Sequence, residues 1–377
     1  MTVSLPLPFG IVSQPAQLDI AVRDMAGSDA IALDTESNSR HHYPEQLCLI
    51  QIATRHKVYI IDTISLTELA PLERVLEDKA IKKVVHGADY DIRCLDRHYG
   101  LSISNLYDTS IAARFAGATE FGLTALIKNL LGVTIFKSER LQQSDWGRRP
   151  LSAEALKYAA GDVHHLLALS EILDQQLQAL GRTAWVAEEC ARLEEVRYAA
   201  PNLQSAFFSV KGAQNLDGSG LAALRSLFLF REEEARRQGR PPFFVIPDIA
   251  LIALSTNPAA NLSKVPGLGQ VGLQRFGRGL QQALCDGQAA PPIQRQPVIV
   301  ERLSQEQLTR LSRLKAWRAS LSATLSLDPS LLWPTASLER LAKAPDTLGV
   351  EILSANIRRW QRDEFASSLH TYLESLP

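Results

Sequence analysis

Residues 31–36 (IALDTE) place two carboxylates, Asp34 and Glu36, directly after three apolar residues. The apolar run predicts a buried strand. Side chains alternate between the two faces of a strand, so both carboxylates point to the same side. Like charges this close repel each other, and a divalent cation with a preference for oxygen ligands, such as Mg²⁺ or Mn²⁺, relieves the repulsion. An Asp-x-Glu after an apolar run also arises by chance, so the metal interpretation depends on further carboxylates downstream.

The order of the remaining apolar runs predicts a mixed sheet flanked by helices, because strands come first and helices dominate later. A short strand and a helix are expected within residues 11–29. The other predicted strands are 31–33, 47–53, 58–62 and 82–86, with 47–53 and 58–62 joined as a hairpin. Helical spacing predicts helices at 67–76, 90–99, 108–115, 123–131 and 152–180.

Two changes in composition divide the chain of 377 residues into three predicted domains. The first segment rich in glycine and proline predicts a linker at 201–216, and the second, GQAAPPIQRQP, predicts a linker at 288–299. The predicted domains are residues 1–200, 217–287 and 300–377, and the two after the linkers show only helical signals.

Charge and cysteine content describe the setting of the protein. The net charge is −1, but residues 1–175 contain 17 Lys and Arg against 22 Asp and Glu, whereas the remainder contains 23 against 19. An acidic site followed by basic modules explains this asymmetry, and a random spread of surface charge is the alternative. Four scattered cysteines, no leader peptide and no membrane-spanning run predict a cytoplasmic protein, expected to be a monomer.

Two further sites supply carboxylates. Asp91 follows the predicted strand 82–86 in the first turn of a helix, where the helix dipole alone favours an acidic residue. Tyr158 and Asp162 are four residues apart and therefore share one face of a helix. Either feature alone is as readily structural as functional.

Taken together, these features resemble the tyrosine-containing branch of the DEDD exonuclease superfamily, and within it the ribonuclease D family. The resemblance covers residues 11–200 and depends on several separate motifs in the expected order. The first motif is Asp34-Thr35-Glu36, followed by Tyr43-Pro44 and residues 47–51. The second is His86-Gly87-Ala88 leading to Asp91. The third is residues 158–163, preceded by Ser144-Asp145-Trp146 and residues 148–151. The fold implied is a ribonuclease H-like α/β exonuclease domain. Ser37 and Asn38 depart from the family pattern, since many relatives have an aromatic or apolar residue after the glutamate.

The resemblance implies a role for each of these residues. Asp34, Glu36, Asp91 and Asp162 would bind two divalent cations, Mg²⁺ or Mn²⁺, and Tyr158 would orient or help deprotonate the attacking water, with orientation the easier role for a phenol of ordinary pKa. Candidate nucleic-acid contacts at the rim are His86, Lys137, Arg140, Arg148 and Arg149. A structural histidine and a solvated basic surface are the alternatives for this group. Trp146 is expected to pack rather than stack on a base.

The first helical segment resembles the HRDC domain, a helical bundle shared by RecQ-type helicases and ribonuclease D. The matching order is Leu224, Leu227 and Phe228, then residues 240–242 (RPP), 245–248 (VIPD) and 265–268 (VPGL). Its candidate contacts to the nucleic-acid backbone are Arg236, Arg237, Lys264, Arg275 and Arg278, each with a surface charge as the alternative. Residues 303–376 repeat the rhythm and resemble a second, divergent HRDC domain, with an unrelated bundle as the alternative.

The resemblance implies a metal-dependent 3′→5′ exoribonuclease that trims RNA with a free 3′ end, with transfer-RNA precursors as expected substrates. A DNA 3′→5′ exonuclease in repair is the first alternative, because the same carboxylates and HRDC domains occur in DNA enzymes. A non-catalytic nucleic-acid-binding protein is the second. Removing residues 212–377 is expected to weaken substrate binding while leaving cleavage of short oligonucleotides intact.

Overall fold

The computed structural model of the protein describes residues 7–135, 138–295 and 302–375. Its first domain contains a six-stranded sheet. The strands are β1 (Phe9–Val12), β2 (Ala30–Ser37), β3 (Leu47–Ala53), β4 (Val58–Asp62), β5 (Lys82–Val85) and β6 (Leu106–Asp108). Their order across the sheet is β1-β4-β3-β2-β5-β6. The β2–β3 and β3–β4 pairs are antiparallel and the other three pairs are parallel, which confirms the predicted mixed sheet.

Helices cover both faces of this sheet. They are α1 (Pro15–Met25), α2 (Glu73–Leu76), α3 (Asp89–Tyr99), α4 (Thr109–Phe115), α5 (Leu123–Leu126), α6 (Glu139–Gln142), α7 (Ala153–His164), α8 (Leu166–Ala179) and α9 (Thr183–Glu194). Side chains of α1 and α3 pack with Ile31, Leu33 and Ile50 on one face. Side chains of α7 and α8 pack with Ala30, Ala32 and other residues on the opposite face.

Several predicted boundaries differ from the structure. The helix predicted at 67–76 shrinks to a 3₁₀ turn at Ala70–Leu72 followed by α2. The helical stretch predicted at 152–180, for which the sequence left an interruption open, is divided into α7 and α8 at His165. The edge strand β6 was not predicted, since three residues are too few to show an alternating pattern.

The first helical bundle consists of α10 (Leu203–Ala206), α11 (Gly218–Gln238), α12 (Pro242–Val245), α13 (Asp248–Thr256) and α14 (Gly269–Ala289). Phe207, Val210 and Ala213 belong to its hydrophobic core. Part of the segment predicted as the linker 201–216 therefore contributes to the bundle, because these three side chains need its apolar interior. The bundle contacts the first domain where the backbone N–H of Tyr43 donates to the carbonyl of Gly239 at 3.2 Å.

The second helical bundle consists of α15 (Gln305–Leu325), α16 (Pro329–Leu332), α17 (Thr335–Lys343), α18 (Leu348–Glu351) and α19 (Arg359–Glu374). Its core is continuous with the α7 side of the first domain. At this contact Trp360 of α19 stacks on Trp185 of α9, with ring centroids 4.8 Å apart. Glu188 of α9 accepts hydrogen bonds from the backbone N–H groups of Arg359 and Trp360, which satisfies the N-terminus of α19. None of the described helices in the three domains has the length and apolar content needed to span a bilayer.

Candidate active site

The central strand β2 carries the first two carboxylates. The strand continues to Ser37, so Asp34 and Glu36 lie within it. The sequence had suggested that they follow the end of a strand at residues 31–33. They alternate with Thr35 and share the face of Ala30 and Ala32, which is covered by α7. The predicted orientation of the two carboxylates to one side of the strand is thus confirmed.

The N-terminus of α3 brings Asp91 to the same region. The turn before this helix contains Gly87 at φ +76°, a left-handed conformation that glycine adopts without strain. The buried carboxylate of Asp108 accepts hydrogen bonds from the backbone N–H groups of Gly87 at 3.0 Å and Ala88 at 2.8 Å, and so fixes the turn. Asp91 is only 5% exposed and accepts a hydrogen bond of 2.5 Å from the hydroxyl of Thr35.

Helix α7 supplies Tyr158 and Asp162 on one face. Ala159 and Ala160 are buried between them, and their small side chains let the helix lie close to β2, β3 and β4. The ring of Tyr158 lies 6.0 Å from the ring of Trp146, centroid to centroid. Trp146 is 1% exposed, so it packs in the core as expected.

Electrostatic interactions show that the four carboxylates lie close together. Burial raises the pKa of Glu36 to about 10, and the charges of Asp34, Asp162 and Asp91 add to this shift in that order. Burial also raises the pKa of Asp34 to about 6. For Asp91, burial and then the charge of Asp34 raise the pKa well above its usual range. The site therefore holds a concentration of negative charge that protons or cations must neutralise.

The hydroxyl of Tyr158 belongs to the same cluster. Burial raises its pKa, and the charges of Asp162, Glu36 and Asp34 raise it further. The phenol therefore stays protonated at neutral pH and can donate a hydrogen bond.

The donor set fits a hard divalent cation, because it consists of carboxylate oxygens that repel one another when ionised. Within the described ranges, no three His, Cys, Asp or Glu side chains are already arranged to hold one ion. The hydroxyl of Thr35 holds the Asp91 carboxylate beside β2. The chemistry of the residues therefore fits a metal site, although the side chains are not pre-arranged as ligands.

The candidate rim residues have different surroundings. Nδ1 of His86 lies 2.9 Å from the hydroxyl of Thr109. The guanidinium of Arg149 donates to Asp62 at 2.5 Å and to the carbonyl of Cys48 at 3.2 Å. These contacts favour a structural role for Arg149 over the predicted contact with a phosphate. Arg148 is exposed, and Lys137 lies outside the described residues.

Arg140 is also exposed and forms an ion pair with Glu154 at 2.6 Å. Glu154 lies in the first turn of α7, so Arg140 is at the surface near the start of this helix. A contact between Arg140 and nucleic acid stays a prediction.

The candidate contacts of the first bundle lie at its surface. Arg236 lies over the ring of Tyr43, 6.0 Å from its centroid, beside the loop that follows β2. Arg237 forms an ion pair with Glu234 at 2.6 Å. Lys264, Arg275 and Arg278 are exposed. Their contact with nucleic acid stays a prediction.

Three polar residues around the site were not among the predicted functional residues: Thr35, Gln51 and Asp108. Asp108 caps α4 by accepting from the backbone N–H groups of Ser110 and Ile111, and an aspartate before a helical run is a recognisable signal. Thr35 and Gln51 gave no such signal, because single polar residues within strands have many explanations.

Comparisons with known proteins agree with this site and fold. A family model described as a 3′-5′ exonuclease matches residues 9–178, and the HRDC domain model matches residues 220–284. The chain is similar to the ribonuclease D of Granulibacter bethesdensis, with 31% identity over 89% of this chain and 85% of that protein.

Two solved structures are also similar to the chain. The catalytic core of RRP6 from Trypanosoma brucei has 27% identity and a TM-score of 0.67 over 76% of this chain and 81% of that one. The RNase D of Escherichia coli shares the fold, with a TM-score of 0.74 and 24% identity over 98% of this chain and 100% of that one. Together with the curated relative, these matches confirm the predicted fold class. The chain belongs to the ribonuclease D family of 3′→5′ exoribonucleases.

Proposed function

We propose that the protein removes nucleotides one at a time from the 3′ ends of RNA, using two divalent cations, Mg²⁺ or Mn²⁺. Asp34, Glu36, Asp91 and Asp162 would hold the cations. The observation that carries the proposal is the mutual electrostatic effect of these four carboxylates beside Tyr158. Four acidic groups brought together in one partly buried place need positive charge to remain ionised at neutral pH.

Each residue has a distinct part in the proposed reaction. Once bound by these carboxylates, the cations would supply an activated water and would neutralise charge on the leaving 3′ oxygen. Thr35 keeps the Asp91 carboxylate beside β2 through its hydrogen bond. Tyr158 orients the attacking water by donating a hydrogen bond from its phenol. The raised pKa of Tyr158 keeps the phenol protonated and suits this role.

The expected substrate is RNA with a free 3′ end, with transfer-RNA precursors as the physiological class. The first bundle supports this proposal, since it contacts the loop after β2 through Tyr43 and exposes Lys264, Arg275 and Arg278. Basic side chains of this kind bind the backbone of a nucleic acid independently of its sequence.

The test is digestion of a 5′-labelled single-stranded RNA and the matching DNA with Mg²⁺, Mn²⁺ or a chelator. Asp162→Ala protein serves as the matched variant. A metal-dependent ladder of single-nucleotide steps on RNA, lost in the variant, is the expected result. A ladder on DNA alone would assign the protein to DNA repair. Binding without any metal-dependent cleavage would favour the non-catalytic alternative.

A further inference from the structure

Gln51 is a polar residue in the centre of the otherwise apolar strand β3. Its side chain is 0% exposed. Neither the nitrogen nor the oxygen of its carboxamide has a hydrogen-bond partner among the described residues. Buried amides are nearly always paired, because an unpaired one loses its bonds to water without replacement. An unpaired carboxamide at this position therefore calls for a functional explanation.

The sheet places this carboxamide next to the carboxylate cluster. Gln51 is directly opposite Asp34 in the antiparallel ladder between β2 and β3. Opposite residues point to the same face, with their Cβ atoms about 4.5–5.5 Å apart. This face is the one covered by α7, the helix that carries Tyr158 and Asp162. The side chain of Gln51 is therefore long enough to reach the carboxylate of Asp34.

The two groups are chemically complementary. A carboxamide offers two N–H donors, and an ionised carboxylate offers only acceptors. The backbone N–H of Thr35 donates to the Asp34 carboxylate, which leaves further lone pairs to be satisfied. Leucine, isoleucine or valine would fill the same space in the core but would provide no donor.

We propose that Gln51 is a positioning residue of the metal site. Its amide N–H donates to the Asp34 carboxylate and holds that carboxylate in its ligating orientation when a divalent cation binds. Carboxylate ligands of metals are commonly held by such a second hydrogen-bonded group, and losing it weakens metal affinity about 10- to 100-fold. This inference rests on the proposed function, since it requires that Asp34 binds a metal.

The test compares Gln51→Leu with Gln361→Leu. Gln361 is also buried, but its amide donates to the carbonyl of Leu331 at 2.7 Å in the second bundle, so the two glutamines differ in pairing and in place. Mn²⁺ affinity is measured by calorimetric titration, and the melting temperature is measured in chelator and in Mn²⁺. We expect Gln51→Leu to weaken Mn²⁺ binding about 10-fold or more. In chelator it should melt at or above the wild-type temperature, because it removes an unpaired polar group.

Gln361→Leu should behave in the opposite way, with a lower melting temperature and unchanged Mn²⁺ affinity. Gln51→Met, which keeps the length but has no donor, should repeat the Gln51→Leu result and replaces it if that variant does not fold.

Two outcomes would overturn the inference. Unchanged Mn²⁺ affinity in Gln51→Leu would show that Gln51 does not position a ligand. A purely structural role would be shown if Gln51→Leu lowered the metal-free melting temperature as much as Gln361→Leu does and the two variants had the same Mn²⁺ affinity. A wild-type protein that binds no Mn²⁺ would instead overturn the proposed metal site, and the inference with it.

Discussion

The hydroxyl of Thr35 donates a hydrogen bond to the carboxylate of Asp91, across a separation of 56 residues in the chain. Thr35 lies between Asp34 and Glu36 but points to the opposite face of β2. The strand therefore presents two carboxylates on one face and fixes a third from the other. This contact joins the first and second acidic motifs.

Replacing Thr35 by valine preserves the shape of the side chain and removes the donor to Asp91. We expect Thr35→Val to lower the rate of RNA cleavage about 10- to 100-fold, because the Asp91 carboxylate loses the group that orients it. The measurement is the single-turnover rate on a 5′-labelled RNA. Thr256→Val is the control, since the Thr256 hydroxyl is exposed and bonds only within α13, to the carbonyl of Ile252. Equal rates in both variants would contradict the role of Thr35.

The hydroxyl of Tyr158 is expected to act in the chemical step and not in folding. Tyr158→Phe keeps the ring against Trp146 and removes the proton donor. We expect kcat to fall about 10²-fold or more. Mn²⁺ affinity and the melting temperature should stay near those of the wild type. A wild-type kcat would show that another group orients the water.

Lys83 provides a pH test away from the acidic cluster. It is 0% exposed on β5, and burial lowers its pKa from 10.5 to about 8. Below pH 8 the lysine is protonated in both the folded and unfolded states. Between pH 8 and 10.5 the unfolded chain binds more protons, so the free energy of unfolding gains a contribution that rises with pH.

Lys83→Met should remove this rise and should also stabilise the protein at pH 7, because the variant no longer buries a charged ammonium group. Chemical denaturation at pH 7 and at pH 10 measures both effects. Lys79→Met, at an exposed position, should keep the wild-type dependence. An unchanged slope in Lys83→Met would contradict the assignment of the titration to Lys83.

The second bundle should stabilise the exonuclease domain as well as contact RNA. Trp360 stacks on Trp185, and the guanidinium of Arg182 in the first domain donates to the carbonyl of Leu325 in the second bundle at 2.6 Å. Trp360→Ala should lower the free energy of unfolding by about 3–5 kcal/mol. Leu353→Ala, at a side chain that is 74% exposed, should change it little. Equal stability in the two variants would show that the interface contributes nothing.

The same interface changes the expectation for deletion of the tail. A protein ending at residue 295 would expose Trp185 and lose the cap that Glu188 forms on α19. We expect its melting temperature to fall and its activity on short oligonucleotides to fall with it. Removing residues 212–377 removes the same contact, so the expected cleavage of short oligonucleotides by that protein requires that the first domain folds without α19.

Arg275 and Arg278 are expected to bind phosphates of the RNA. Replacing both by glutamine should raise KM for long RNA and reduce the slope of log affinity against log salt concentration by about one per residue. The kcat on short oligonucleotides should not change. Arg23→Gln combined with Arg74→Gln removes the same two charges from exposed positions of the first domain and is the control. An unchanged salt slope would place the RNA elsewhere.

The sequence predicted the centre of the sheet well, for physical reasons. Strands β3 and β4 match their predicted bounds because each is a mainly apolar run, and the two runs flank a polar turn. Spacing relative to predicted strands and helices singled out Asp34, Glu36, Asp91 and Asp162. The resemblance to the exonuclease family grouped them into one metal site, which stays a proposal.

Contacts between distant residues could not be predicted in this way. The surroundings of Arg149 depend on Asp62, 87 residues earlier, so its sequence context suggested only a basic surface. The stacking of Trp185 on Trp360 likewise joins two helices whose separate patterns describe only their own apolar faces. Pairing across domains depends on tertiary packing, which local periodicity does not encode.

The most direct test of the proposed site measures Mn²⁺ binding and RNA cleavage in the same samples of wild-type and Asp34→Asn protein. We expect the wild type to bind two ions per chain and its single-nucleotide cleavage to follow their occupancy. The Asp34→Asn protein should remain folded, bind fewer ions and lose cleavage. Cleavage by the wild type in excess chelator, or an Asp34→Asn protein with wild-type binding and cleavage, would contradict the proposal that these carboxylates form the catalytic metal site.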